Sequence, residues 1–360
     1  MIGVGSCTSL DGLDVALVRA ADLDVEFAQL LFGDEVRRVH HQVLCLLVHR
    51  EGDHLADVGP AQTAWYDGNL RVNCMYRTQW RAVDKQPYQT ISLSVEKQLH
   101  FYDHTYGFGA QIMRDESGYV GLIQNKCIVS GAFALHVNGH RLSGGVELGL
   151  VNKSTDIQKY TYDQQYDMGG DNVFNRDFAT GEVDGKQLFH ASVNAGVMWK
   201  KRLFYNYVAE AGVSLFNINT PYESLYGMEL ENTKQPLRIA VQMGGTLETG
   251  KKIHLRPNIL YMRQKKATDF LVGANIDYLF DKNLTLFGGT LFRYGMEKNY
   301  DASVWILGTT YKRVSVSASY DINVSSLRTA THNRGAFEVS LTYLSPTWKS
   351  SKVKIPCERI

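Results

Sequence analysis

The stretch RVSVSASYDIN, residues 313–323, decides how the rest of the chain is read. Val314, Val316, Ala318, Tyr320 and Ile322 fall on one face, and Ser315, Ser317, Ser319 and Asp321 on the other. A period of two is the signature of a β-strand whose faces meet different surroundings. The run is about ten residues long, enough for a tilted strand to cross an outer membrane and longer than most strands of soluble sheets.

The pattern repeats from Asn69 onward. Leu70, Val72, Cys74 and Tyr76 alternate with Arg71, Asn73 and Arg77. Ile91, Leu93 and Val95 alternate with Ser92, Ser94 and Glu96. Further runs follow through Tyr106, Val129, Leu142, Phe189, Val213, Ile239, Ile259, Phe270 and Leu286. Val304, Ile306 and Thr310 lead into the opening strand, and Phe337, Val339, Leu341 and Tyr343 close the series. The total is about fourteen strands, an even number as single-chain outer-membrane barrels have. Gly107-x-Gly109 lies within a strand and reads as a close-packing feature, not a phosphate loop.

Composition agrees with this reading. The 360 residues carry 38 Lys plus Arg against 37 Asp plus Glu, a formal net charge of +1 that gives no reason to expect nucleic acid as a partner. No apolar run is long enough for a transmembrane helix, and alternation keeps the mean hydropathy near zero without excluding a barrel. Cys7, Cys45, Cys74, Cys127 and Cys357 form neither a CxxC nor a zinc spacing. No Ser, His and Asp grouping stands out, so neither an enzyme nor a cofactor is expected.

Twelve charges sit mid-strand on the polar faces: Arg71, Arg77, Glu96, Glu147, Glu210, Arg238, Glu248, Arg256, Asp277, Arg293, Asp321 and Glu338. Unpaired charge is costly in a packed core, so these residues face either bulk water on an open sheet or a barrel lumen where both signs pair. The apolar faces, with Tyr, Trp and Phe near strand ends, suit lipid and favour the lumen.

Connections alternate between short and longer. Short turns are expected at Asn138-Gly139, at residues 200–203, 249–252 and 281–283, and at Lys312. Longer links are expected at residues 115–126, 153–186, 217–235, 295–302 and 324–334. Barrels place short turns in the periplasm and longer loops outside the cell. The longest loop, residues 153–186, is the candidate partner-binding surface. Its Tyr160, Tyr162, Tyr166 and Phe174 supply contact area, and Asp163, Asp167 and Asp171 would favour a basic partner. The segment after residue 344 carries Lys349, Lys352 and Lys354 and is expected on the periplasmic side.

Residues 1–63 stand apart. They show no alternation, a helix is expected over residues 22–48, and His40, His41, His49 and His54 lack the partners of a metal site. The barrel is expected over residues 64–344, with a tail over 345–360.

The chain from Leu70 to Ile360 resembles the PorP/SprF family of outer-membrane proteins of the type IX secretion and gliding machinery. NLRVNCMYRTQW (residues 69–80), YGFGAQIMRDESG (106–118), GGVELGLVNKSTDI (144–157) and the ending KIPCERI (354–360) carry the resemblance. Members have a signal peptide and then a segment like SQYxxNPLxxNPAxxG before the first strand. Here GPAQTAW, residues 59–65, stands at that place and keeps little of it, so residues 1–63 are expected to come from a misassigned start or a shifted frame, or to be disordered, with a genuine replacement domain as the alternative. The resemblance implies a non-enzymatic barrel in the outer membrane that contacts periplasmic secretion components or retains secreted adhesins at the cell surface. A transport barrel for hydrophobic solutes is the alternative. It would need an N-terminal plug and an apolar pocket entering the lumen, and the sequence suggests neither, its inner face reading as charged throughout.

Overall fold

The structure, a computed structural model, describes residues 59–79, 81, 87–101, 104–117, 122–155, 165–166, 187–224, 233–295, 300–325 and 328–346. The expected helix at residues 22–48 and its histidines lie outside these.

Fourteen strands form one sheet: β1 Leu70–Gln79, β2 Tyr88–Phe101, β3 His104–Ser117, β4 Leu122–Val137, β5 His140–Thr155, β6 Leu188–Phe204, β7 Tyr207–Phe216, β8 Arg238–Glu248, β9 Ile253–Gln264, β10 Ala267–Leu279, β11 Leu284–Gly295, β12 Tyr300–Tyr311, β13 Val314–Asn323 and β14 Arg334–Leu344. Each pairs antiparallel with its sequence neighbours, and β1 pairs with β14 from Arg71↔Leu344 to Gln79↔Ala336. The sheet is therefore a closed up-and-down barrel with no free edge.

The alternation settles which face is which. On β13 the serines and Asp321 are buried inside, whereas Val314, Val316, Ala318 and Tyr320 are exposed outside. Around the wall Leu307 is 73% exposed, Val146 63% and Ile112 57%. Such a continuous apolar band would be unfavourable in water and matches a hydrocarbon slab. Aromatic side chains gather where strands approach the turns. Tyr106 lies 5.1 Å from Phe133 and 6.0 Å from Phe101, and Tyr278 lies 6.5 Å from Phe280, ring centre to ring centre. These rings sit where an interfacial girdle belongs.

Both termini of the barrel lie at the end that carries the tight turns. Asn138 and Gly139 take φ of 50° and 76°, the left-handed pair of a two-residue hairpin. Two expected boundaries move. β6 runs on to Phe204, so the turn is Tyr205-Asn206 and not residues 200–203. Lys200, Lys201 and Arg202 are strand residues beyond the apolar band, and their polarity imitates a turn. β3 and β4 extend to Ser117 and from Leu122, so the link expected over residues 115–126 is shorter. Asp115 and Gln124 point inward there, and Thr90 Oγ1 donates to Asp115 Oδ1 at 2.6 Å. At the opposite end most links are longer, but β9 and β10 are joined only by Lys265-Lys266.

Candidate functional site

Residues 59–66 cross the inside of the barrel. Pro60–Ala64 form a 3-10 turn, and every residue of it is buried, as are Trp65 and Tyr66. The segment runs across the strands and not along them. It passes from Gly59 beside Ser214 of β7 to Tyr66, whose ring lies 4.5 Å from the Arg71 guanidinium. It is a strap over the inner wall of β2–β6. Its polar groups are met by the wall. Gln62 Nε2 donates to Gln242 Oε1 at 2.9 Å, and Thr63 Oγ1 to Ser130 Oγ at 2.9 Å. Ser143 Oγ donates to the Ala61 carbonyl at 2.8 Å, Arg141 Nη2 to the Ala64 carbonyl at 2.6 Å, and the Tyr66 hydroxyl to the Glu96 carbonyl at 2.9 Å. Trp65 Nε1 donates to Glu210 Oε2 at 3.3 Å.

Small wall residues make room for this backbone. A Cβ on Gly107 would stand 2.5 Å from the Thr63 carbonyl oxygen, and one on Gly145 would overlap the Pro60 carbonyl. Ala64 packs with Ala132 and Ala134 of β4. The close packing read for Gly107-x-Gly109 thus has a partner, the strap itself. No segment inside the barrel was expected from the sequence; residues 59–66 are one. The boundary expected at residue 63 falls in the middle of it.

The expected inner charges are placed as follows. Arg71, Arg77, Glu96, Glu147, Arg256, Asp277, Arg293, Asp321 and Glu338 are buried inside the barrel. Arg71 pairs with Glu96, and Arg256 with Asp277 at 2.5 Å. Arg77 bridges Asp321 at 3.0 Å and Glu338 at 3.2 Å, and Arg293 joins Asp321 at 3.5 Å to Asp301 at 2.6 Å. These five residues form one ionic chain linking β14, β1, β13, β11 and β12. Asn194 Nδ2 donates to Glu147 Oε1 at 2.8 Å. Glu210 and Arg238 are half-buried, Arg238 lying 4.1 Å from the centre of the Phe216 ring. Glu248, the last residue of β8, sits at the turn-end rim and accepts from Arg202 at 3.1 Å.

The interior is not charged throughout. Met75, Phe216, Ala240, Leu260, Met262, Leu271, Phe287, Leu291, Val304 and Ile306 form one buried apolar cluster inside the wall. On β12 both faces are apolar: Val304 and Ile306 point in, Trp305 and Leu307 out. Periodicity carries no facing signal on such a strand. A groove of about 720 Å³ lies on the outer wall over β2–β6, lined chiefly by wall residues such as Ile91, Ile112, Leu150 and Phe189.

Of the expected partner loop, Tyr166 is described and exposed. Tyr160, Tyr162, Asp163, Asp167, Asp171 and Phe174 lie outside the described residues. Lys153, expected in the loop, is a buried residue of β5 paired with Glu223. Cys74 and Cys127 are free thiols on the outer face, and the other three cysteines lie outside the described residues. Among the described residues no group of His, Cys, Asp and Glu is arranged to hold a metal, and no helix is long and apolar enough to cross a membrane.

Many solved structures share the fold. The toluene transporter TbuX of Ralstonia pickettii superposes with a TM-score of 0.52 at 8% identity, over 85% of this chain and 98% of that one. A deltaS2S3 mutant of the monoaromatic hydrocarbon channel TodX gives 0.53 at 10% identity, over 80% and 93%. At such identities the likeness is one of architecture. No curated protein sequence matches. Residues 58–343 match the type IX secretion system membrane protein family PorP/SprF, a match that begins at the strap and ends with β14. That family is one of secretion system membrane proteins, and the fold is that of a membrane β-barrel. The chain belongs to the PorP/SprF family of type IX secretion system membrane proteins.

Proposed function

We propose that this barrel sits in the outer membrane and serves the type IX secretion and gliding machinery as a partner protein. Its loop end retains secreted surface proteins such as adhesins, and its turn end contacts periplasmic secretion components. The supporting observation is the filled interior. With a strap, an ionic chain and an apolar cluster inside, and lipid outside, recognition falls to the loops and turns. Loops of the length of residues 156–187 are usually functional or disordered. Shortening that loop is expected to release the surface adhesin while leaving heat-modifiable barrel folding intact. Trimming residues 347–360 is expected to weaken periplasmic contacts instead. Normal adhesin retention by loop-shortened barrels would remove the loop from this role.

The strap also lends support to the second reading, a channel for hydrophobic solutes, because a segment inside the barrel could act as a movable plug. The ligands named for the two similar structures, toluene and monoaromatic hydrocarbons, are the class to try. Against it stands the apolar cluster, whose side chains pack on one another and are buried. Uptake of toluene by cells carrying the barrel, absent from cells without it, would favour this second reading.

A further inference from the structure

We infer that one arc of the turn end is a docking surface for an acidic protein face in the periplasm. This deepens the proposed function and rests on its orientation, turn end inward.

Three adjoining turns build the arc. The β8–β9 turn carries Lys251 and Lys252, the β10–β11 turn Lys282, and the β12–β13 turn Lys312 and Arg313; all five are exposed. The turns are joined through the backbone. Leu279 N–H donates to the Lys252 carbonyl at 2.8 Å, Lys312 N–H to the Asn283 carbonyl at 2.6 Å, and Leu344 N–H to the Arg313 carbonyl at 2.9 Å. The cations are therefore held along one continuous edge. The acid at these turn tips, Asp281, is committed to its own turn, where its Oδ1 accepts from the N–H groups of Asn283 at 2.6 Å and Leu284 at 2.9 Å. Beside the arc, Glu248 is engaged by Arg202. Lys251, Lys252, Lys282, Lys312 and Arg313 outnumber the Asp281 carboxylate, so the arc keeps a net positive charge.

Lysines at a membrane rim also reach lipid phosphates. Lipid surrounds a barrel on every side, however, and would favour cations at every turn. The turns of the other half, residues 102–103, Asn138-Gly139 and Tyr205-Asn206, carry no cation at their tips. Arg141 there donates to the strap, Lys201 contacts His140, Arg202 pairs with Glu248, and Lys97 and Lys200 stand back from the tips, within β2 and β6. A one-sided arc matches a partner that approaches from one side. The chain also leaves the barrel beside it, where Ser345 N–H donates to the Leu70 carbonyl at 2.8 Å, and Lys349, Lys352 and Lys354 follow in the sequence. Opposed charge of this kind governs encounter and register and weakens with salt.

The test is photo-crosslinking in intact cells from a crosslinking residue placed singly at Lys252, Lys282 or Asn138, with the crosslinked peptides sequenced. Lys252 and Lys282 should trap Asp/Glu-rich segments of a periplasmic protein, and Asn138 should not. Lys251→Gln, Lys312→Gln and Arg313→Gln together should lower the Lys282 crosslink about tenfold without changing heat-modifiable folding. Adducts to lipid, equal yields from Asn138, or a crosslink insensitive to these neutralisations would each overturn the inference. Crosslinks confined to residues 347–360 would also overturn it while leaving the proposed function standing. An absence of any protein crosslink from the whole turn end would sink both.

Discussion

Gly145 of β5 lies against the carbonyl of Pro60, so close that a Cβ at position 145 would overlap it. One missing side chain on the wall therefore lets the strap's backbone rest on the barrel. Gly145→Val should expel that part of the strap, since forcing extra atoms into a packed site costs about 1–3 kcal/mol. In a background carrying Ala61→Cys, the thiol should become reactive toward a water-soluble maleimide, with the barrel still heat-modifiable. Gly131→Ala is the control, because a Cβ there meets nothing within 4 Å. Equal labelling of both variants would contradict the strap's placement.

The start of the folded unit follows from the same contacts. A chain beginning at Val58 behind a standard signal peptide should assemble as well as the full chain. One beginning at Asp67 loses the strap's hydrogen bonds to Gln242, Ser130, Ser143 and Arg141 and uncovers the Ala132 and Ala134 patch. It should melt lower or fail to assemble, as read by the heat-modifiable shift on gels. Equal behaviour of the two starts would make the strap dispensable.

Within the ionic chain, Arg77→Ala takes one cation away from both Asp321 and Glu338 in the interior, Asp321 keeping Arg293. Removing one member of a buried pair costs about 3–5 kcal/mol because it leaves uncompensated charge. Combining it with Glu338→Gln, which leaves the Asp321–Arg293 pair in place, should recover much of that loss. Unfolding in urea, followed by tryptophan fluorescence, measures both. A single variant as stable as the parent would show that the chain of charges contributes little.

On the wall, Val316→Arg places a charge against lipid, at about 2–4 kcal/mol near the midplane. Assembly should fall sharply, whereas Val316→Leu should be neutral. Equal folding of both in detergent and in membranes would count against the facing of β13.

Much of the architecture was legible in the sequence because one physical rule governs each strand. Where lipid lies on one side and polar groups on the other, as along β13 and β5, residues alternate and the facing can be read. The rule loses its signal where both sides are apolar, as on β12, so Val304 and Ile306 gave no hint of an inner cluster. It also loses it where both sides are polar, as at residues 200–202, which imitate a turn. The strap escaped for another reason. GPAQTAW has no period, and its burial is set by Gly107, Gly145 and Ala132, residues distant in sequence whose only sign is small size. Partners of the inner charges, such as Arg77 with Asp321 and Glu338, come from strands that only barrel closure brings together.

Purification of the tagged chain from native membranes in mild detergent, with quantitative identification of what comes with it, separates a secretion partner from a solute channel. A secretion partner should bring periplasmic secretion components or a large secreted surface protein in near-stoichiometric amount, at levels that fall when residues 156–187 are shortened or residues 347–360 removed. A barrel that purifies alone from such membranes, and whose loss abolishes uptake of a hydrophobic solute, would contradict the secretion role.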